Sequence, residues 1–382
     1  MDVKLIASTG DLQDARSMLE FGLRCARICY TAKDWDELQK EQVNEELLDD
    51  LLNSGHHSVF EHINLRFNFS RMPKAMAMVF NNEKQYATSE KSARYTVMSG
   101  MEPQQKVLYD KWIEKLIPAI EKVYPEMQEA GEREAAIKKL AQENARYMTS
   151  VFTPTKMVHT VNLRQLNFLQ QQFESFIAEY SGSGDEFRSR LASEMQSFLD
   201  QARQFRIEKL DNQTDRGLSM FSSSRLSPKE VKGDVYSTAY PLSFAGLAQA
   251  HRHRTISYNI LNGLERGAKM GFYVPPIVSE EKMEDEWASD LGQVAVTDYP
   301  QAQLLQVYER GRLEDFRSKA MLRMCGHAQL EIMMNTLATA KGYEAYQNAY
   351  GNKKSLKPKC MQGYKCAKHC VWTGNMALER LV

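Results

Sequence analysis

The spacing of apolar and polar residues divides the chain into recognisable elements. The opening reads as a short strand, a capped turn "STGD", and a helix, "LQDARSMLEFGLRCARICY", whose apolar residues recur three and four apart. A second helix is expected over 41–53, stopped by Ser54-Gly55. "NLRFNFS" alternates with period two, the mark of a half-buried strand. Residues 103–150 are strongly helical, with charges three and four apart. The helical pattern continues over 160–205, broken by "YSGSGDEF". From 206 to 250 the pattern is mixed, with the turn-rich "SSSRLSPKEVKGD", and helix returns over 301–341.

A faint internal repeat runs through this pattern. "MPKAMAMVFNNEKQYATSEKSARY" (72–95) lines up with "YPLSFAGLAQAHRHRTISYNILNGLERG" (240–267), with Phe80 opposite His251. Both are a proline, a helix and a polar turn, and self-similarity at a fixed offset is the trace of a repeated unit. The expected organisation is a first repeat over 1–205, a second over 206–350 and a basic, Cys-rich tail over 351–382.

Composition narrows the functional classes. With 382 residues the chain has room for two or three domains, and 43% hydrophobic with 26% charged residues fits a soluble globular protein. Lys+Arg and Asp+Glu both number 49, so a broad attraction to nucleic acid or to a membrane surface is excluded, and any basic function is local. No apolar run approaches the roughly 20 residues of a membrane helix. "MDVKLIASTGD" lacks the apolar core of a signal peptide. Six Cys without a secretion signal point to a reducing cytoplasm, with thiols or metal ligands in preference to disulfides.

The local basic function has a clear candidate in "AHRHRTISYN" (250–259), where His251, Arg252, His253 and Arg254 run together between apolar flanks. Guanidinium forks suit phosphate and carboxylate. If the segment is extended, Arg252 and Arg254 face one way and His253 the other. The competing reading is a surface basic patch. A second stretch, "GHHSVFEH" (55–62), offers His56, His57, Ser58 and Glu61. It reads as a weak metal cluster or as a helix cap with Ser58 as N-cap and Glu61 closing a capping box. "NLR" (162–164) and "RMCGHAQLE" (323–331) add Asn162, Arg164, Arg323 and His327; Arg323 and His327, four apart, would share one helical face. The tail carries Cys360, Cys366, His369 and Cys370 within eleven residues. These soft ligands suit a structural zinc, or else are free thiols.

Taken together, "GHHSVFEH", "SARY", "NLR", "RHRTISYN" and "RMCGHAQLE" resemble the motifs of the flavin-dependent thymidylate synthases. The resemblance implies an α/β (α+β type) fold of two related repeats, each a mostly antiparallel sheet with packed helices. It implies one-carbon transfer from methylene-tetrahydrofolate to C5 of dUMP, with FAD as cofactor and NADPH as reductant. Methylation or hydroxymethylation of another pyrimidine deoxynucleotide, such as dCMP, is the nearest rival, and a catalytically inactive nucleotide- or flavin-binding module is a second. By resemblance Ser92, Ala93, Arg94, Arg146, Gln249, Arg252 and Arg323 bind the deoxynucleotide monophosphate. His56, Ser58, Glu61, Asn162, Arg164, His253, Arg254, Asn259 and His327 bind the flavin. Catalysis falls to Arg252, Arg323 and Ser92, the arginines stabilising charge on the pyrimidine. Ser92 has no evident base beside it, so nucleotide binding suits it better than nucleophilic attack.

The family carries its motifs once, whereas here they are split between halves. The first half lacks Arg-His-Arg, reading "NNE" at 81–83, and has Gln172 near where the phosphate-side Arg should fall. The second half has "SPKEVK" where the His-x-Ser segment should be. Duplication, fusion and specialisation account for this split, with one composite site left per chain and a homodimer in pseudo-tetrameric packing as the expected assembly.

Overall fold

The computed structural model describes residues 1–44, 46–125, 133–211, 217–222, 229–350, 356–364 and 379–382. Seven strands run in chain order: β1 Asp2–Ser8, β2 Asn64–Pro73, β3 Tyr86–Glu90, β4 Pro154–Asn162, β5 Val235–Ser243, β6 Ser257–Asn262 and β7 Leu304–Arg312. The helices of the first half are α1 Ala15–Arg27, α2 Trp35–Leu38, α3 Glu46–Asn53, α4 Lys74–Asn82, α5 Pro103–Val123, α6 Arg133–Ala145, α7 Leu163–Tyr180 and α8 Glu186–Ala202. Those of the second are α9 Phe244–Ala250, α10 Pro276–Glu280, α11 Glu284–Thr297, α12 Leu313–Arg323 and α13 Leu330–Tyr350. The fold is mixed α/β with antiparallel sheets and packed helices, as expected.

Two compact units emerge, and neither is a continuous half of the chain. The first comprises Met1–Lys91 and Pro154–Leu218, and the second comprises Ser92–Thr153 and Ser219–Val382. The division thus differs from a boundary at 205. Its physical cause is the apolar face of α5: Leu108, Trp112, Leu116, Ala119 and Ile120 pack in one core with Trp287, Leu291 and Val294 of α11. Trp112 meets Trp287 edge to face at 4.7 Å and donates from Nε1 to Asp290 at 2.9 Å. Truncating either tryptophan would cost about 3–5 kcal/mol, which ties 92–153 to the second unit.

In the first unit the sheet order is β1-β2-β4-β3, all antiparallel. The alternation read in "NLRFNFS" is realised: Leu65, Phe67 and Phe69 are buried between outward Asn64, Arg66 and Asn68. Helix α1 begins at Asp14, whose side chain accepts from Ser17 N, and Asn162 likewise caps α7 by accepting from Gln165 N. Phe80, Phe173 and Phe198 interlock edge to face at 5.1–5.6 Å. His159 lies against Phe80 and stacks on Tyr86. Burial pushes its pKa down to about 3.

In the second unit the order is β5-β7-β6, again antiparallel. Residues 304–312 form its central strand, where the sequence suggested helix. Leu305 and Val307 face the core, alternating with Gln306 and Tyr308, and this period-two signal was masked by the charged run after it. The two sheets share a plan. Strand–helix–strand followed by strand–helix occurs as β2-α4-β3 with β4-α7, and again as β5-α9-β6 with β7-α12. Register agrees too: Asn64 opposes Asn162 and Pro73 opposes Pro154, while Val235 opposes Arg312 and Ser243 opposes Leu304. Counted from the strand–helix junctions, Phe80 falls opposite Ala250, one residue from the sequence alignment. Val79 falls opposite Gln249, and Phe173 opposite Arg323.

Candidate functional site

The second unit gathers arginines from distant parts of the chain. Arg94 lies in the loop after β3, and Arg146 in the 3-10 turn that follows α6. Each is only 6% exposed, as is Arg380. Arg94 pairs through Nε with Glu143 at 2.9 Å and donates from Nη2 to the His327 carbonyl at 2.7 Å. Arg323, the last residue of α12, donates from Nε to His253 Nε2 at 2.7 Å. That bond requires a lone pair on Nε2, so His253 is neutral with its proton on Nδ1. Burial first, then the charges of Arg323, Lys319 and Arg252, lower the His253 pKa to about 2. Burial, followed by the charges of Arg252 and Arg94, pushes Arg323 down to about 10.

A polar network binds this cluster together, and its donor logic is determinate. Arg146 Nη2 can only donate, so the Gln329 oxygen faces it. Gln249 donates from Nε2 to the same oxygen. Gln329 Nε2 donates to Tyr147 Oη, and Tyr147 donates onward to Glu331 at 2.6 Å. Glu331 also accepts from Ser243 N at 2.7 Å and Ser243 Oγ at 2.6 Å. Burial raises the Glu331 pKa, while these donors oppose the rise. Gln249 Oε1 and Arg146 Nε are buried with no hydrogen-bond partner among the described residues. Gly246 is needed beside this network, since a Cβ there would lie 2.5 Å from Leu242 Cδ1 and 3.0 Å from Glu331 Cδ.

Arg252 and Arg254 are exposed while His251 and His253 are buried, although the segment is a run of turns and not extended, with His253 N bonded to Ala250 O at 2.9 Å. Asn259 of β6 donates to the Ser222 carbonyl at 3.3 Å and also to that of Ser219. Ser92 and Ala93 are half-buried in the loop carrying Arg94, and the Ser92 carbonyl accepts from the Tyr95 and Thr96 amides. His327 is exposed and does not share a helical face with Arg323. Helix α12 ends at Arg323, and Ala328 N turns back to the Cys325 carbonyl at 2.9 Å.

The remaining candidates lie in the first unit. Arg164 pairs with Glu61 at 2.6 Å, both about two-fifths exposed, beside a short 3-10 helix, His57–Glu61. Ser58 sits inside that helix, whose N-cap His56 makes no side-chain cap, so no capping box forms. His56 instead meets Tyr30 Oη at 3.0 Å. A guanidinium, a hydroxyl and a carboxylate together suit the pyrophosphate and ribose of a dinucleotide. Cys366, His369 and Cys370 lie outside the described residues, and Cys360 is a free thiol. Among the described residues no group of three or more His, Cys, Asp or Glu is placed to hold a metal ion.

Sequence reasoning missed Glu143, Tyr147, Gln329, Glu331 and Arg380. Gln329 and Glu331 stand in the quoted "RMCGHAQLE", and Glu143 is three residues before Arg146, so a signal existed. Arg380 has none.

Residues 13–175 match the model of the family described as thymidylate synthase complementing protein, the flavin-dependent thymidylate synthase family. Over that span the resemblance read from the motifs is borne out; Gln249, Arg252 and Arg323 lie beyond it. Among solved structures the chain is similar to the UMP/dUMP methylase PolB from Streptomyces cacaoi bound with 5-Br dUMP. The identity is 20%, covering 44% of this chain and 76% of that one, with a TM-score of 0.29. It is also similar to the flavin-dependent thymidylate synthase ThyX from Helicobacter pylori complexed with FAD and dUMP, at 16% identity, 55% of this chain, 95% of that one and a TM-score of 0.30. No curated protein matches.

Proposed function

We propose that the second unit binds a pyrimidine deoxynucleotide monophosphate and that the protein transfers a one-carbon unit from methylene-tetrahydrofolate to C5 of dUMP. The observation that carries this reading is the surplus of buried positive charge. Buried Arg94, Arg146 and Arg380 and half-buried Arg323 stand against two buried carboxylates, Glu143 and Glu331. Buried charge is costly unless paired, and a phosphate dianion would balance it.

The base preference follows from the network. Gln249 must turn its NH2 to Gln329, which leaves its oxygen as an acceptor. Uracil offers a donor at N3 where cytosine offers a lone pair, so the site favours dUMP over dCMP. Arg252 and Arg323 would stabilise charge developing on the pyrimidine oxygens. His253, neutral and accepting from Arg323, orients that guanidinium and is not an acid at neutral pH. FAD, when bound, supplies the reducing chemistry that completes a methyl group, with NADPH as reductant. The resemblance assigns Ser58, Glu61, Asn162, Arg164, His253, Arg254, Asn259 and His327 to the flavin, and in the first unit Arg164 and Glu61 already lie together.

The units are read as diverged copies, and among the described residues the first has no counterpart of Gln249 or Arg323. Val79 and Phe173 stand where Gln249 and Arg323 stand in the second, inside a packed aromatic cluster. Titration should therefore find one nucleotide per chain. Comparing dUMP with dCMP in the same titration tests the reading: dUMP should bind at least about tenfold tighter, the worth of one mismatched polar group. Equal affinity would overturn the assignment of the base.

A further inference from the structure

Three consecutive carbonyls of the loop between α12 and α13 each accept from a buried arginine. Arg380 donates from Nη1 to Gly326 O and from Nη2 to Ala328 O, and Arg94 donates to His327 O between them. This loop joins Arg323 of the cation cluster to Gln329 of the polar network that binds it. Arg380 is itself pinned: Leu381 N donates to Tyr124 Oη at 2.8 Å, Leu381 O accepts from Ile277 N at 3.0 Å, and Val382 is buried in the Trp112–Trp287 core.

We infer that Arg380 is a positioning residue for the anion site. It holds the 326–328 backbone so that Arg323 and Gln329 keep their places, and it adds a third buried guanidinium to the local field. A planar fork whose two nitrogens each reach one carbonyl explains why arginine serves here, because a lysine carries all its donors on one nitrogen. Residues 379–382 are thereby part of the binding machinery. The inference rests on the proposed nucleotide site, but its geometric half is separable from that reading.

The test uses the full chain and two variants, Arg380→Met and Arg380→Lys. Cys325 lies in the held loop and is half-buried, and Cys25 is a half-buried thiol of the first unit. Thiol alkylation without ligand, read residue by residue by mass spectrometry, should speed up at Cys325 by about tenfold in Arg380→Met, as loss of a charge-assisted hydrogen bond implies. Cys25 should be unchanged, and Arg380→Lys intermediate. Titration with dUMP should then show weaker binding in the same order. Unchanged Cys325 labelling in Arg380→Met overturns the inference. So does faster labelling at Cys25 and Cys325 alike in both variants, which would mean a merely structural arginine. Faster labelling confined to Cys325, in a wild-type protein that binds no dUMP, would uphold the positioning and defeat the nucleotide reading.

Discussion

Arg146→Met separates a site built for a ligand from one built for stability. Arg146 is buried, donates to Gln329, and has its pKa lowered chiefly by burial. Methionine fills much of its volume and leaves no acceptor stranded, since Gln329 keeps Gln249 and Glu143 keeps Arg94. The loss of one charge-assisted hydrogen bond is set against the removal of a desolvated cation that repels Arg94. The net change in ligand-free stability should lie within about 2 kcal/mol of zero. Binding has no such compensation. Removing one side of a buried charged contact costs about 2–5 kcal/mol, a rise in Kd of roughly 30-fold or more. With dUMP at 100 times the wild-type Kd, the wild type gains about 2.7 kcal/mol of stability and the variant under about 1 kcal/mol. Denaturant titration with and without dUMP reads both quantities. A variant that collapses without ligand, or that keeps the full dUMP response, would refute the reasoning.

Other expectations follow from the same geometry. Arg94 and Arg323 lie in one unit of one chain, Arg94 bonding the carbonyl of His327, so mixing Arg94→Ala with Arg323→Ala chains should restore no activity; recovery would show a site shared between chains. Arg164→Ala should weaken FAD binding, read by the flavin absorbance shift, while leaving dUMP affinity unchanged, and the opposite pattern would remove Arg164 from the flavin site. The folded-state pKa of His159 is lowered to about 3 from 6.5. Its contribution is therefore complete above pH 6.5 and lost as pH falls toward 3, at about 1.4 kcal/mol per pH unit. Replacing it, as in His159→Phe, should flatten stability against pH between 6.5 and 4.5 by one proton's worth in urea titrations, and an unchanged slope would contradict the buried, neutral assignment.

What was legible in the sequence was local. The alternation of β2 is carried by neighbouring residues, whereas α1 starts at Ala15, capped by Asp14, later than the turn "STGD" suggested. Arg94, Arg146, Gln249 and Arg323 were named only through the resemblance to the family, and the structure places all four in the second unit. What was hidden depends on partners far away in the chain. Lys319 and Glu309 carry no local signal, yet they pair at 2.5 Å, 1% and 0% exposed at the side chain, with Tyr236 donating to the same carboxylate. Helix α12 stops at Arg323 without a local breaker until Gly326, so the four-residue spacing to His327 suggested a helical face that does not form. Arg380 depends on the chain returning to the second unit after α13, which no local pattern announces.

The most direct measurement is the mass of the nucleotide recovered after the purified protein is incubated with FAD, NADPH, methylene-tetrahydrofolate and dUMP. The account predicts a product heavier than dUMP by one CH2 unit, absent when FAD is omitted and strongly reduced in Arg323→Ala. Recovery of unchanged dUMP from a folded, flavin-loaded protein would contradict it.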